Sequence, residues 1–288
     1  MNTKENSFIE TEIYTTTSSD CRSERAFTFV ELLVVLAIIS AGTLMVLSAM
    51  AKTKTNGSMS RCLNNLKQLA SAWTMYSADN NGSLVSAYPS FGGFTATWCK
   101  GNAATGGGAG SYMYGGADPA GITNGLLWPY IKSLSAYKCP ADNRVSFPGN
   151  PLPGQPILRN VSMNSYMAGR SWGVTPAFTI TFGGARNPTT PVFLKETEIS
   201  RPSSIWVILD EDPQSINDGM FLVDLGGGQG FLDLPSRLHN NSYGINFADN
   251  HVELIKFTDS SSITWTPGAT VINNDWRRLT NITTAPLN

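Results

Sequence analysis

From Phe27 to Met50 the chain is apolar apart from one charge, Glu31. At 1.5 Å rise per residue, a helix over that stretch reaches roughly 36 Å, enough to cross a bilayer core of about 30 Å. Residues 52–57, Lys-Thr-Lys-Thr-Asn-Gly, form a polar break. A second pattern follows. Met59, Cys62, Leu63, Leu66, Leu69, Ala70, Trp73 and Tyr76 recur at three- and four-residue spacing, with Arg61, Asn64, Asn65, Lys67 and Gln68 between them. That spacing predicts an amphipathic helix to about Asp79, closed by Asn80-Asn81-Gly82 with glycine as its cap. The two segments make one long, kinked N-terminal helix, with Gly42 and Gly57 as flex points.

From Gly82 to Pro188 the chain is loop-rich. Gly92-Gly93 and Gly106-Gly107-Gly108 alternate with the aromatic residues Tyr88, Phe91, Phe94, Trp98, Tyr112, Tyr114 and Trp128. Such rings either pin irregular loops to a core or, when exposed, bind sugars or a partner. The C-terminal part reads as β. Ile205–Leu209 is a short buried strand between Pro202 and the acidic turn Asp210-Glu211-Asp212-Pro213. Residues 243–248 and 251–257 alternate as a hairpin around a two-residue turn, Asp249-Asn250, both types that tolerate positive φ. The expected fold is α+β: the long helix packed on an antiparallel sheet with long loops.

Composition narrows the class. The 288 residues are 41% hydrophobic and 14% charged, with 27 Gly and 16 Pro. A net charge of −1 gives a nucleic-acid partner no electrostatic support. The glycine tracts match no phosphate-binding loop. The low charge and the many Gly, Ser, Thr and Asn fit an exported surface protein.

A carboxylate in an apolar helix costs about 2–3 kcal/mol on insertion scales, so Glu31 calls for a task. Arg22 and Arg25 precede the span and favour a cytoplasmic leader, although Glu5, Glu10, Glu12, Asp20 and Glu24 make that leader acidic. A small residue, Ala26, then an aromatic, Phe27, then an acid four residues on, Glu31, resembles the start of type IV prepilins and type II secretion pseudopilins. The resemblance implies that a prepilin peptidase cuts between Ala26 and Phe27 and methylates the new amine. It implies that Glu31 pairs with a neighbouring subunit's amine and sets axial register. Ala26 stands where that family usually has Gly. The competing reading of the segment is a secretory signal cut after Ala49-Met50-Ala51, but the apolar run is longer than such signals and carries an acid.

The resemblance extends along the chain through Cys62-Leu63-Asn64-Asn65-Leu66-Lys67-Gln68-Leu69, Tyr76 to Gly82, Lys138-Cys139-Pro140-Ala141-Asp142, Ser162 to Met167, Arg201-Pro202-Ser203 and Ile216-Asn217-Asp218-Gly219. It closes with His239 and, after nine intervening residues, Asp249; the similar group usually has Gly next, where this chain has Asn250. The organisation implied is a leader over 1–26, a transmembrane helix over 27–51, its amphipathic continuation over 52–82 and a globular domain over 83–288.

Cys21 lies in the leader. Cys99 and Cys139 flank the glycine-rich excursion, and in an oxidising compartment they either form a disulfide across about 40 residues or remain buried thiols. No cysteine pair has CxxC spacing, which argues against structural zinc. Asp210, Asp212 and Asp218 lie in one acidic loop and are candidate calcium ligands; some pseudopilins hold calcium in a C-terminal loop. His239, His251 and Asp249 are an alternative transition-metal set. No GxSxG or HExxH motif supports hydrolysis. Three classes compete. The first is a pseudopilin-like filament subunit at the inner membrane, whose partners are prepilin peptidase and other pilin or pseudopilin subunits. The second is an exported carbohydrate-binding or adhesive protein using the same export route, favoured by exposed Trp98, Tyr112 and Tyr114. The third is an anchored enzyme, for which no polar cleft is visible; the expectation is a non-enzyme.

Overall fold

The two N-terminal patterns merge into one helix, α1 (Phe29–Asp79). The computed structural model of the chain describes residues 28–87, 96–104, 114–148, 152–167, 181–182, 185–186, 192–225 and 228–284; the side chains of 42, 44–56, 181–182 and 185–186 lie outside that description. The chain divides into two compact units, Met1–Met50 and Ala51–Asn288. Residues 52–57, the polar break in the pattern, are helical throughout, in line with the single long helix expected. Lys, Thr and Asn each cost only a few tenths of a kcal/mol against Ala, and Gly57 about 1 kcal/mol. A helix already nucleated on both sides propagates through such a deficit.

The ends of α1 are capped by their own residues. Thr28 Oγ accepts the Glu31 N–H at 3.2 Å, and Glu31 Oε2 accepts the Thr28 N–H and hydroxyl at 2.8 Å each, a capping box. At the other end Asn81 and Gly82 take left-handed φ of 55° and 74°. The Gly82 N–H returns to Ser77 O at 2.8 Å.

Residues 114–148 carry the short helices α2 (Ala120–Thr123) and α3 (Trp128–Ile131) and a 3-10 turn at Leu134–Tyr137. A five-stranded sheet follows, built from β1 (Val161–Asn164), β4 (Trp206–Asp210), β5 (Met220–Phe221), β6 (Ser242–Phe247) and β7 (Val252–Lys256), in the order β5-β1-β4-β6-β7. A separate ribbon pairs β2 (Thr181–Phe182) with β3 (Ala185–Arg186). The chain ends in α4 (Ser260–Ile263) and α5 (Asn274–Asn281), the latter capped by Asn273, whose side chain accepts the Trp276 N–H.

The sheet is mixed, which corrects the expectation of an antiparallel one. β1–β4, β4–β6 and β6–β7 are antiparallel, but β5 pairs parallel with β1. The chain reverses after β4 through residues 213–215, so β5 opposes β4 in direction and therefore runs with β1.

Both faces of the central strands are buried. One face packs with Leu66, Leu69 and Trp73 of α1 against Val161, Met163 and Ile208. The other gathers Leu209, Tyr243, Ile245 and Phe247 with Phe257, Trp265 and Leu279. Alternation in β6 explains the split: Tyr243, Ile245 and Phe247 face the C-terminal helices, and Gly244 and Asn246 face α1. A β-carbon on Gly244 would stand 2.5 Å from Leu66 Cδ1, so glycine lets the helix approach the strand. Asn246 uses the same face, donating to Leu66 O at 3.0 Å and accepting the Ile208 N–H at 2.8 Å beside the bulge in β4.

The β6–β7 turn has three residues, Ala248–Asn250, not two. Phe247 N–H bonds His251 O, and Asn250 N–H bonds Phe247 O. Only Asn250 is left-handed, at φ 74°, the position where glycine or asparagine fits with least strain. Asn250 then docks on α1, its amide donating to Thr74 Oγ and its carbonyl accepting from Lys67 Nζ.

Candidate functional sites

Two places carry chemistry. The first is the start of α1. Glu31 is exposed and occupied by its own capping box. Around it the large apolar side chains face outward: Phe29 is 73% exposed, and Val30, Leu32, Leu33, Val34, Leu36, Ile38 and Ile39 are exposed as well. An apolar surface continuous around a helix is one that something else covers. Among the described residues, no helix is long and apolar enough to cross a membrane. Ala26 and Phe27 lie outside the described residues.

The second place is buried between α1 and the sheet. Cys62 comes from α1, Cys139 follows the 3-10 turn 134–137, His239 follows the Pro235–Leu238 segment, and Asp210 ends β4. Cys62 Sγ donates to Asp210 Oδ2 at 2.7 Å, and Cys139 Sγ lies 3.0 Å from His239 Nε2. The ligand atoms of Cys62, Cys139 and His239 all fall within 4.8 Å of one another.

The backbone holds these groups in place. Cys139 N–H donates to Asn160 Oδ1 at 2.5 Å, Ala141 N–H reaches Cys139 Sγ at 3.4 Å, and Gly244 N–H reaches Asp210 Oδ2 at 3.2 Å. The Cys62 thiol, then His239, pulls the Cys139 pKa down to about 5 against the effect of burial. Cys62 moves the other way, raised by its neighbour Cys139, by burial and by Asp210. Burial lowers the His239 pKa, but the Cys139 thiolate outweighs it and the net direction is upward. Burial lifts Asp210 to about 7. The cluster therefore favours a Cys139 thiolate beside a His239 imidazolium.

The sequence-predicted site residues separate. Cys99 and Cys139 are both free buried thiols, and the expected disulfide between them is not formed. Cys139 sits in the cluster, whereas Cys99 packs near Trp98 and Gly219 in the core. Asp210, Asp212 and Asp218 do not converge on one point. Asp210 faces Cys62, Asp212 forms a two-pronged ion pair with Arg237, and Asp218 caps the Met220 N–H. His239 lies in the cluster, while His251 bonds Asp249 at 2.5 Å on the hairpin and stacks on Phe247. Trp98 is buried and stacked on Tyr137, so it is not the exposed sugar platform considered from the sequence; Tyr112 lies outside the described residues.

Sequence reasoning missed the Cys62–Cys139–His239 grouping because its members are far apart along the chain; Cys139 and His239 are 100 residues apart. The short runs around Cys62 and Cys139 were visible, but nothing in their spacing joins them.

A family model described as a prokaryotic N-terminal methylation motif matches residues 21–47. No curated protein and no solved structure matches the chain. The motif supports a type IV pilin-like protein. It implies processing by prepilin peptidase and assembly with other pilin subunits in general terms.

Proposed function

We propose that the chain is a pseudopilin-like structural subunit. Prepilin peptidase cuts it between Ala26 and Phe27 and methylates Phe27. The apolar start of α1 anchors the subunit in the inner membrane until it enters a type II secretion or type IV pilus-like filament, with the globular unit on the outer side. The observation that carries this reading is the methylation motif at 21–47, which overlaps the start of α1, where the described apolar side chains point outward. Filament neighbours or lipid would cover that surface, and burying it supplies the driving force for both states.

Glu31 is the register element. In the uncut chain it is held by Thr28 of its own helix. In the filament it exchanges that partner for the methylated amine of a neighbour, and an acid that is costly unpaired in an apolar setting makes the correct axial position the favoured one. Glu31→Ala is expected to leave membrane insertion and peptidase cleavage intact and to abolish filament incorporation. Incorporation at the unmutated level would remove Glu31 from the mechanism. The size of the second unit, Ala51–Asn288, favours a minor or tip position, because bulky domains crowd a filament.

A further inference from the structure

Two thiols, an imidazole and a carboxylate meet in the interior. Cys62, Cys139, His239 and Asp210 are 2%, 1%, 3% and 0% exposed. We propose that Cys62, Cys139 and His239 bind a structural zinc ion, with Asp210 as the fourth ligand. This inference is independent of the assembly reading.

The donor chemistry selects the metal class. Thiolate and imidazole suit zinc, whereas calcium and magnesium take oxygen, and an iron–sulfur cluster takes four Cys or, in the Rieske type, two Cys and two His, against two Cys and one His here. The dimensions also agree. Zinc bonds of about 2.3 Å to sulfur and 2.0–2.1 Å to nitrogen set ligand–ligand edges of roughly 3.5–3.8 Å in a tetrahedron. The Cys139–His239 contact, at 3.0 Å, falls just below that range, and all three ligand atoms lie within 4.8 Å of one another. Asp210 lies outside that mutually close set, but its Oδ2 is 2.7 Å from Cys62 Sγ, and the carboxylate turns toward the metal once the thiol proton leaves.

The surroundings resemble the outer shell of a metal site. The N–H···S bond from Ala141 supports a thiolate at Cys139, and the Gly244 N–H orients Asp210. Asp210 Oδ1 and His239 Nδ1 are buried without a hydrogen-bond partner in the structure. A cation beside the Asp210 carboxylate compensates the desolvation of Oδ1, while His239 Nδ1 lies on the ring edge away from the Nε2 that meets Cys139. Burial on every side excludes a substrate, so the Cys139–His239 pair is a closed structural site and not an exposed nucleophile. The ion joins α1, the 134–140 turn and β4, elements distant in sequence, and releases about two protons as it binds.

The test uses the full chain purified in detergent without chelators. Metal analysis and native mass spectrometry are expected to give one zinc per chain. Exchange with cobalt(II) is expected to give a sulfur-to-cobalt charge-transfer band and the intense visible bands of a tetrahedral site. Cys139→Ser and His239→Ala should each weaken zinc binding by more than about tenfold. Cys99→Ser, a buried thiol outside the cluster, should retain it. The cobalt spectrum of the unmutated chain decides the matter even if a variant fails to fold. Free thiols without cobalt bands, a metal other than zinc, or a Cys62–Cys139 disulfide in peptide mapping would overturn the proposal.

Discussion

Gly244 sets how closely α1 approaches the sheet. Its absent β-carbon leaves room for Leu66 Cδ1 on one side and the Asp210 carboxylate on the other, at 2.5 and 3.0 Å from where a β-carbon would stand. Gly244→Ala is therefore expected to destabilise the globular unit by about 1–3 kcal/mol, the usual cost of overpacking. Combining it with Leu66→Ala should cost less than the sum of the two single changes. Strict additivity in denaturant titration would show that the two sites do not meet. A second residue, Asp233, makes stability depend on pH. Burial and the nearby Asp218 charge raise its carboxyl to about 8, although the Leu222 N–H bonds it. Its ordinary value is about 4, so between about pH 4 and 8 the folded state keeps a proton that the unfolded chain releases. Stability from this group is complete at low pH and is lost as pH rises through that window. Asp233→Asn should flatten the decline, gaining on the parent protein at about pH 8 relative to about pH 5 in thermal unfolding. A parallel pH profile in the variant would assign the decline to Glu211, which burial and Asp233 also push upward.

At the scale of elements, α1 shows what local pattern reveals and what it hides. Leu66, Leu69 and Trp73 are legible as a helix face because burial repeats with the helical period. The continuity through 52–57 follows from the helical patterns on either side, because helix cooperativity overrides weak local propensity. Gly57 has nothing within 4 Å of where a β-carbon would stand. Gly57→Ala is expected to stabilise that turn by about 1 kcal/mol, slowing amide exchange there roughly fivefold. Unchanged exchange would mean that the segment is not helical in solution. The β6–β7 hairpin is legible from Tyr243, Ile245 and Phe247, but its turn length is not, because pairing register depends on the partner strand. β1, Val-Ser-Met-Asn, alternates apolar and polar residues, but four residues are too few to stand out as a strand, and all four are buried. The parallel placement of β5 is a tertiary choice without a local signal. The site follows the same division. The Phe27–Glu31 pattern is contiguous and readable, whereas the thiol–imidazole cluster exists only once α1, the 134–140 turn and the sheet have assembled.

At the scale of the whole molecule, the two units differ in where their apolar residues lie. Ala51–Asn288 buries apolar residues in two large cores, one on each face of the sheet, and in a small third cluster of Ala103, Ile157 and Ile216. The described part of α1 within Met1–Met50 leaves Phe29, Val30 and their neighbours exposed. That division suits a subunit stored in a membrane and consumed by a filament. The most direct test is the N-terminal sequence and intact mass of the protein recovered from its native membrane. The account predicts a chain beginning at methylated Phe27. A chain beginning at Lys52 would contradict it, since the apolar segment would then be a discarded export signal and Glu31 would have no partner to find.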